Sequence, residues 1–543
     1  MTATFQRLRP AALAFALAFA ASAAAQDSRL PDIGSSAGAV LSPAKQAEYG
    51  SMVLAQLRHE GYILDDPLMD GWLRDVGLRL ASSSDRPQLS FTFFMLRDRQ
   101  INAFATLGGY IGMNAGLVLA AEREDQVAGV LAHEIAHVTQ QHVLRGAEKA
   151  QRDSLPIMLA MLGAIIAAQQ AGTSSPGATQ AAVLGGLGLM QQRQIDYTRD
   201  NESEADRVGI RTLAHGGFDP EAMAEFFETL QSMVRMNQGD ERSRTPGYLQ
   251  THPVTLTRVS EARERAAKLD RNSAPSSSVG IASNPLLPAG LRIQTQAPRG
   301  RGSTGDFGWA RERLRVLSAN TPAQAIGEYR QMQANKPLDD AQRYGLAYAH
   351  LRAGENAAAL EEMTPVQAAH PESLWLQISL GEVEARAGRV AEADRRFETL
   401  LARMPTHRAL ALSYAQVLAE RNTRTSGTRA VAVLRPLLAT AASDALFQQT
   451  YARVNEIAGD DIRAGEAWAE AAYLGGRPEQ ALVQLNNLKK RGNLDYYARS
   501  RIDARIAAIT PTVLELRRQG IRDDEATGRW SLGVRAAERD AAW

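Results

Sequence analysis

Residues 131–142 read LAHEIAHVTQQH, and within them His133, Glu134 and His137 form an HExxH. Histidine is scarce here, 9 residues in 543, so two of them framing this motif carry more information than they would in a His-rich chain. From Glu122 to about Ala150 there is no proline and apolar residues recur at helical spacing, which predicts one long helix. Residues i and i+4 of a helix lie one above the other, so the two imidazoles can meet one ion. Glu134, beside the first His, is then set over the open position of that ion, where it can take a proton from water. Cysteine is absent, which leaves imidazole and carboxylate as the metal ligands and gives no disulfide framework.

Two imidazoles do not complete a catalytic site, which usually has three protein ligands. His142 is the nearest candidate. On a straight helix it lies about 140° round from His137, so it is expected to point elsewhere and to be structural. The spacing that would add a third His on the same stretch fails, because Gln140 and Val143 stand where a Gly and a His are needed. The acids of TRDNESEAD, Thr198 to Asp206, are the other source. Apolar residues Ile195, Ala205, Val208 and Leu213 give this stretch near-helical spacing. On such a helix Glu202 and Asp206 share a face, Glu204 points the opposite way and Asp200 lies off that face. Glu202 is therefore expected as the third ligand. Asp206 is expected to accept a hydrogen bond from a ligating imidazole and fix its tautomer. Asp200 and Glu204 are read as solvated charges. Two His, one carboxylate and an open position favour Zn2+, one per chain.

The elements that must hold these residues are legible in outline. LSFTFFML, Leu89 to Leu96, has strand composition, and INAFATLGGYIGMNAGLV reads as two short extended runs about a Gly108-Gly109 turn. Leu155 to Ala168 and Ala181 to Met190 are apolar but too short to span a bilayer. They are read as buried helices, with peripheral membrane contact by an interfacial hairpin as the alternative. Arg7 and Arg9 precede an apolar run that ends in ASAAAQD, a pattern for export with cleavage after Ala25 and a periplasmic destination. Residues 273–305, rich in Ser, Pro and Gly, read as a linker.

Beyond the linker the chain repeats. Pro337, Pro371 and Pro405 are 34 residues apart, and so are Ala325, Ala359 and Ala393, and Tyr329, Met363 and Phe397. Gly354 and Gly388 keep the same interval, and a weaker copy has Gly459, Ala464 and Trp468. Small residues would let two helices approach, with Phe397 between them and Pro405 ending the second. This period and pattern resemble tetratricopeptide repeats, about four to five units, whose stacked hairpins bind segments of other proteins. The expected layout is 1–25 signal peptide, 26–272 zinc metalloprotease domain, 273–305 linker, 306–510 repeat domain and 511–543 tail. The fold class is mainly α (α+β), a zincin-type domain with a small β-sheet followed by an α-solenoid. A net charge of +1, 61 basic against 60 acidic side chains, gives no electrostatic footprint for nucleic acid.

HExxH followed by the ExxxD of NESEAD resembles the metalloprotease family of the CAAX prenyl endopeptidases and the bacterial HtpX-type proteases. NAFATLGGYIGMNAGL resembles the family's edge strand and turn before the zinc helix, with Leu107 where the family commonly has Pro. THPVTLTR, with His252, Pro253 and Arg258, resembles its downstream His-Pro and Arg positions. The whole layout, with LPDIG near the mature start, is similar to that of periplasmic members serving outer-membrane assembly. The resemblance implies Glu134 as general base, Asp206 as a proton donor besides its orienting role, and His252 and Arg258 near the reacting carbonyl. For His252 three roles stay open: stabilising an oxyanion, capping the metal's open position in a latent state, or packing. It further implies unfolded or misassembled outer-membrane proteins as substrates, met as a strand added at Asn102 to Ala105. The repeats would then dock on the barrel-assembly machinery. A chaperone or scaffold with latent or minor protease activity is the alternative.

Overall fold

The computed structural model describes residues 41–146, 148, 198–237, 247–269, 302–492 and 494–518. The export signal, both apolar stretches between Leu155 and Met190, most of the linker and the tail beyond residue 518 lie outside the described residues.

Helix α1 (Pro43–His59) leads into α2 (Pro67–Ser82). Asp66 starts α2, its carboxylate accepting from the N–H groups of Leu68 and Met69 at 3.1 and 3.0 Å, ahead of Pro67 in the first turn. Met69, Trp72, Leu73, Val76 and Leu80 follow at helical spacing and are buried. Next come β1 (Thr92–Leu96), β2 (Ala103–Ala105) and β3 (Tyr110–Asn114) in the order β1-β3-β2. Strands β1 and β3 run parallel, β2 and β3 antiparallel, so β2 forms an edge of the sheet. The turn between β2 and β3 runs through Gly108 and Gly109 at φ of 72° and 81°, left-handed conformations that glycine adopts without strain.

A short helix α3 (Ala115–Ala120) precedes α4 (Glu124–Thr139), which carries the HExxH. The long helix expected to about Ala150 is interrupted here. Gln140 caps α4, Gln141 turns left-handed at φ 57°, and helix resumes at His142. Helix α5, described from 198 to 215, carries NESEAD. Helices α6 (Ala222–Asn237), α7 (Gly247–Thr251) and α8 (Leu256–Lys268) complete the described part of this half. No described helix is long and apolar enough to cross a membrane.

From α9 (Phe307–Leu317) onward the chain is a succession of helical hairpins. Helix α9 pairs with Pro322–Asn335, Asp340–Arg352 with Asn356–Ala369, and Leu374–Arg386 with Val390–Arg403. Then come Arg408–Glu420 with Arg424–Leu434, Ala445–Ala458 with Asp461–Leu474, and Pro478–Lys489 with Tyr496–Arg518. The in-phase residues Ala325, Ala359, Ala393, Tyr329, Met363 and Phe397 are all fully buried. A Cβ at Gly381 would lie 2.7 Å from the Phe397 ring, so the ring fills the space that glycine leaves. Gly354 and Gly388 stand just past a helix end at φ of 77° and 82°. The following N–H groups, of Glu355 and Arg389, reach back to His350 and Glu384 at 2.9 and 2.8 Å. Trp468 departs from the pattern: it is exposed where Phe397 is buried.

The hairpins curl around the N-terminal half. Gly71 of α2 faces Ala409, and a Cβ at Gly476 would lie 2.6 Å from the carbonyl oxygen of Ala55 in α1. The hydrophobic core runs unbroken from Leu64 to Val454, with the rings of Trp72 and Phe307 6.3 Å apart across the junction. A cavity of about 2350 Å³ lies between α1, α2, β1 and the hairpins.

Candidate metal centre

Helix α4 is buried along almost its whole length, which is why its polar residues must find partners inside the protein. At its start, Glu124 accepts from Trp72 Nε1 at 2.6 Å and from the Thr304 hydroxyl at 2.6 Å. One helical turn sets the His133 and His137 rings edge to face, centroids 4.7 Å apart. Helix α5 crosses against them because the contact is lined by small residues. Ala136, Ala205 and Val208 form a cluster of their own, and a Cβ at Gly209 would lie 3.1 Å from the His133 backbone nitrogen. This close crossing delivers Glu202.

Four side chains converge. His133 Nε2 lies 3.0 Å from His137 Nε2 and 3.4 Å from Glu202 Oε2. Glu202 Oε1 lies 3.4 Å from His137 Nε2 and 2.9 Å from His252 Nδ1, itself 3.4 Å from His133 Nε2. A tetrahedral ion bonded at about 2.0–2.1 Å to nitrogen and oxygen sets donor edges of about 3.3 Å, so the donor set fits a metal. Beside it, Glu134 is buried and its Oε1 has no hydrogen-bond partner among the described residues; His252 Nε2 is 3.7 Å away. A second acidic group, Asp219, Glu221 and Glu225, is less suited: Arg123 reaches Asp219 at 2.9 Å and Glu225 at 2.7 Å.

The surroundings tune the ligands. Asp206 Oδ1 lies 2.9 Å from His133 Nδ1, on the ring edge turned away from the donors. Burial alone would lower the His133 pKa, but the Asp206 and Glu202 carboxylates outweigh it and push it up to about 10 in the metal-free protein. Burial raises Glu202, yet contacts with His133, His137 and His252 hold it far below the usual carboxylate range. Burial keeps His137 low, in the neutral form a metal requires.

Two further residues singled out by the resemblance, Arg258 and Asp206, lie beside the donors and grip each other. Arg258 was expected near the reacting carbonyl. It is buried, with Nε and Nη2 on Asp206 at 2.7 and 2.8 Å and Nη1 on Glu202 and the Pro253 carbonyl at 2.9 and 2.8 Å. Its guanidinium is occupied with neutralising two buried acids. Asp206 was expected to donate a proton as well. Against burial, Arg258 and then His133 lower its pKa, which favours its charged form. Glu204 differs from expectation. It is partly buried and contacts His142 Nε2 at 3.2 Å and Arg145 at 3.0 Å, whereas Asp200 is exposed. His142 does not point away, because the left-handed Gln141 swings it back until its Nδ1 is 2.9 Å from His137 Nδ1.

Tyr248 went unnoticed in the sequence, although it precedes His252 by the same four-residue spacing as the HExxH imidazoles. It is fully buried and stacks on His252 with centroids 4.7 Å apart. Its backbone N–H donates to the Ile101 carbonyl at 3.0 Å, so this segment is fastened beside the edge strand.

Known proteins share these features. Residues 67–266 match Peptidase family M48. The chain is 30% identical over 478 residues to the Beta-barrel assembly-enhancing protease of Escherichia coli, covering 88% of this chain and 90% of that one. The protein of that name in Yersinia pestis is 30% identical over 489 residues, with the same shares. A Vibrio cholerae protein is 42% identical over 240 residues, an alignment that covers 44% of this chain and 47% of that protein. With its HExxH on a buried helix and its donors converged for a metal, the chain belongs to Peptidase family M48 and is a metalloprotease.

Proposed function

We propose that the chain is a zinc-dependent endopeptidase of the periplasm that degrades misassembled outer-membrane β-barrel proteins and assists their assembly. One observation carries the reading: the metal donors belong to a chain that aligns almost end to end with proteases named for β-barrel assembly. Zinc is the ion that two imidazoles and a carboxylate favour. When bound, it supplies Lewis-acid polarisation of the scissile carbonyl. Glu134 Oε1 accepts the proton of the attacking water. Asp206 orients His133 through Nδ1, and Arg258 keeps Asp206 and Glu202 charged in a buried setting. Substrate binds as an extended strand at the β2 edge, which suits unfolded chains. The hairpins are tetratricopeptide-like units that dock on the barrel-assembly machinery.

The test uses the purified exported chain and one outer-membrane protein, presented unfolded in one sample and as a folded barrel in another. Cleavage of the unfolded form alone, lost with a chelator and restored by zinc, is expected. Equal cleavage of both forms, or cleavage that survives chelation, overturns the reading.

A latent state is favoured by His252. Its Nδ1 occupies the fourth corner of the donor set, and Tyr248 fastens its segment beside β2. Of the three roles open to it, capping the metal is the one this arrangement supports. His252→Ala is then expected to raise turnover about 10-fold or more, since the open arrangement is a minor state of roughly 0.1–10%. A fall in turnover would assign His252 to transition-state support instead. If rescue of barrel assembly in cells proceeds equally with an inactive site, the chaperone or scaffold reading replaces the proteolytic one.

A further inference from the structure

We infer that His142 and Glu204 form a relay that positions His137, the second imidazole of the metal centre. The inference rests on the metal-centre reading and goes beyond its ligands. His137 turns Nε2 toward His133 and Glu202, so a neutral, ligating His137 must carry its proton on Nδ1. That nitrogen lies 2.9 Å from His142 Nδ1. With one proton between two ring nitrogens, His137 donates and His142 accepts. His142 then carries its own proton on Nε2, which faces Glu204 Oε2 at 3.2 Å. Arg145 Nη1, 3.0 Å from the same oxygen, holds the carboxylate in place. The chain of contacts has one consistent direction, from His137 through His142 to Glu204.

The two ligating imidazoles are thus steadied by acids from one helix in two ways. Asp206 reaches His133 directly, 2.9 Å from Nδ1. Glu204 lies between Glu202 and Asp206 in sequence but faces away from them, so it reaches His137 only through an intervening ring. The left-handed Gln141 makes this work, since a straight continuation of α4 would carry His142 off to another side. His142 is 4% exposed, and its ring stands edge to face with His137, centroids 4.8 Å apart. Groups that hold the second nitrogen of a metal-bound His fix its tautomer and orientation and raise its basicity.

The test compares two amides of similar size. His142→Asn keeps a carbonyl oxygen where Nδ1 stood and still accepts from His137. His142→Gln moves its amide out to the Nε2 position and does not. Zinc affinity of the full exported chain is measured by competition with a chromophoric chelator, with the visible spectrum of the Co2+-loaded chain as a second readout. His142→Gln is expected to weaken zinc binding by about 10–100-fold and to shift the Co2+ bands. His142→Asn should stay within a few-fold of the parent with an unshifted spectrum. Equal affinities for the two variants, whether both intact or both weakened, overturn the relay. Glu202→Gln separates the underlying reading: if it keeps full zinc affinity, the metal centre itself is wrongly built. If it loses zinc while both His142 variants bind like the parent, the relay alone fails.

Discussion

Glu134→Gln is expected to lower turnover by ~10²–10⁴-fold while metal content and fold stay those of the parent. Glutamine has the same shape and still carries a carbonyl oxygen, but it cannot take a proton from water. The substitution leaves the converging donors of His133, His137, Glu202 and His252 intact, so metal loading is unaffected. Nor does it strip a partner from its surroundings. Glu134 Oε1 has no hydrogen-bond partner among the described residues, and His252 Nε2 is 3.7 Å away. A buried carboxylate oxygen left without a partner costs stability, so its place beside the donors is better explained by chemistry than by packing. The measurement is kcat/KM on an unfolded outer-membrane protein, with bound metal quantified in the same preparation. Cleavage near the parental rate with full metal content would remove Glu134 from the reaction. Loss of metal together with activity would make it a ligand-shell residue instead.

The centre was legible in the sequence wherever helical phase alone decides geometry. His133 with His137, and Glu202 with Asp206, are four residues apart on elements that are helical; the two rings meet, and the two acids reach His133 from one helix. The repeat positions Ala359, Ala393, Met363 and Phe397 are buried for the same reason: their period reports one recurring contact. What was illegible depends on local exceptions and on tertiary contact. A left-handed Gln141 has no signature in residue type, and it alone converts His142 from a bystander into a neighbour of His137. For Arg258 the resemblance implied only a place near the reacting carbonyl. Only the tertiary arrangement shows that Asp206 and Glu202 have engaged its Nε, Nη1 and Nη2. Tyr248 was hidden because its role depends on where its backbone lies relative to Ile101.

Arg313→Met is expected to destabilise the junction between the catalytic half and the hairpins by about 3–5 kcal/mol. Arg313 lies on α9 and is 3% exposed. It approaches the Asp66 carboxylate through Nε at 3.0 Å and Nη2 at 2.8 Å, contacts Glu382 at 3.3 Å, and lies over the Tyr348 ring at 4.1 Å. Asp66 is also the cap that starts α2, so one buried pair joins the first hairpin to the helix around which the later hairpins curl. Without the guanidinium, the Asp66 charge keeps two backbone N–H partners but loses its counter-ion inside the protein. Arg313→Lys keeps the charge and loses the fork, so it should fall between parent and Met. Adding Asp66→Asn to Arg313→Met should recover more than half of the loss, because the amide oxygen still caps α2 and position 66 no longer holds an unpaired buried charge. Denaturant unfolding followed by tryptophan fluorescence reads this directly, since Trp72, Trp309 and Trp375 are all buried near the junction. Equal midpoints for Arg313→Met and the parent would show that the apolar core, from Trp72 and Phe307 outward, holds the two halves together without the ion pair.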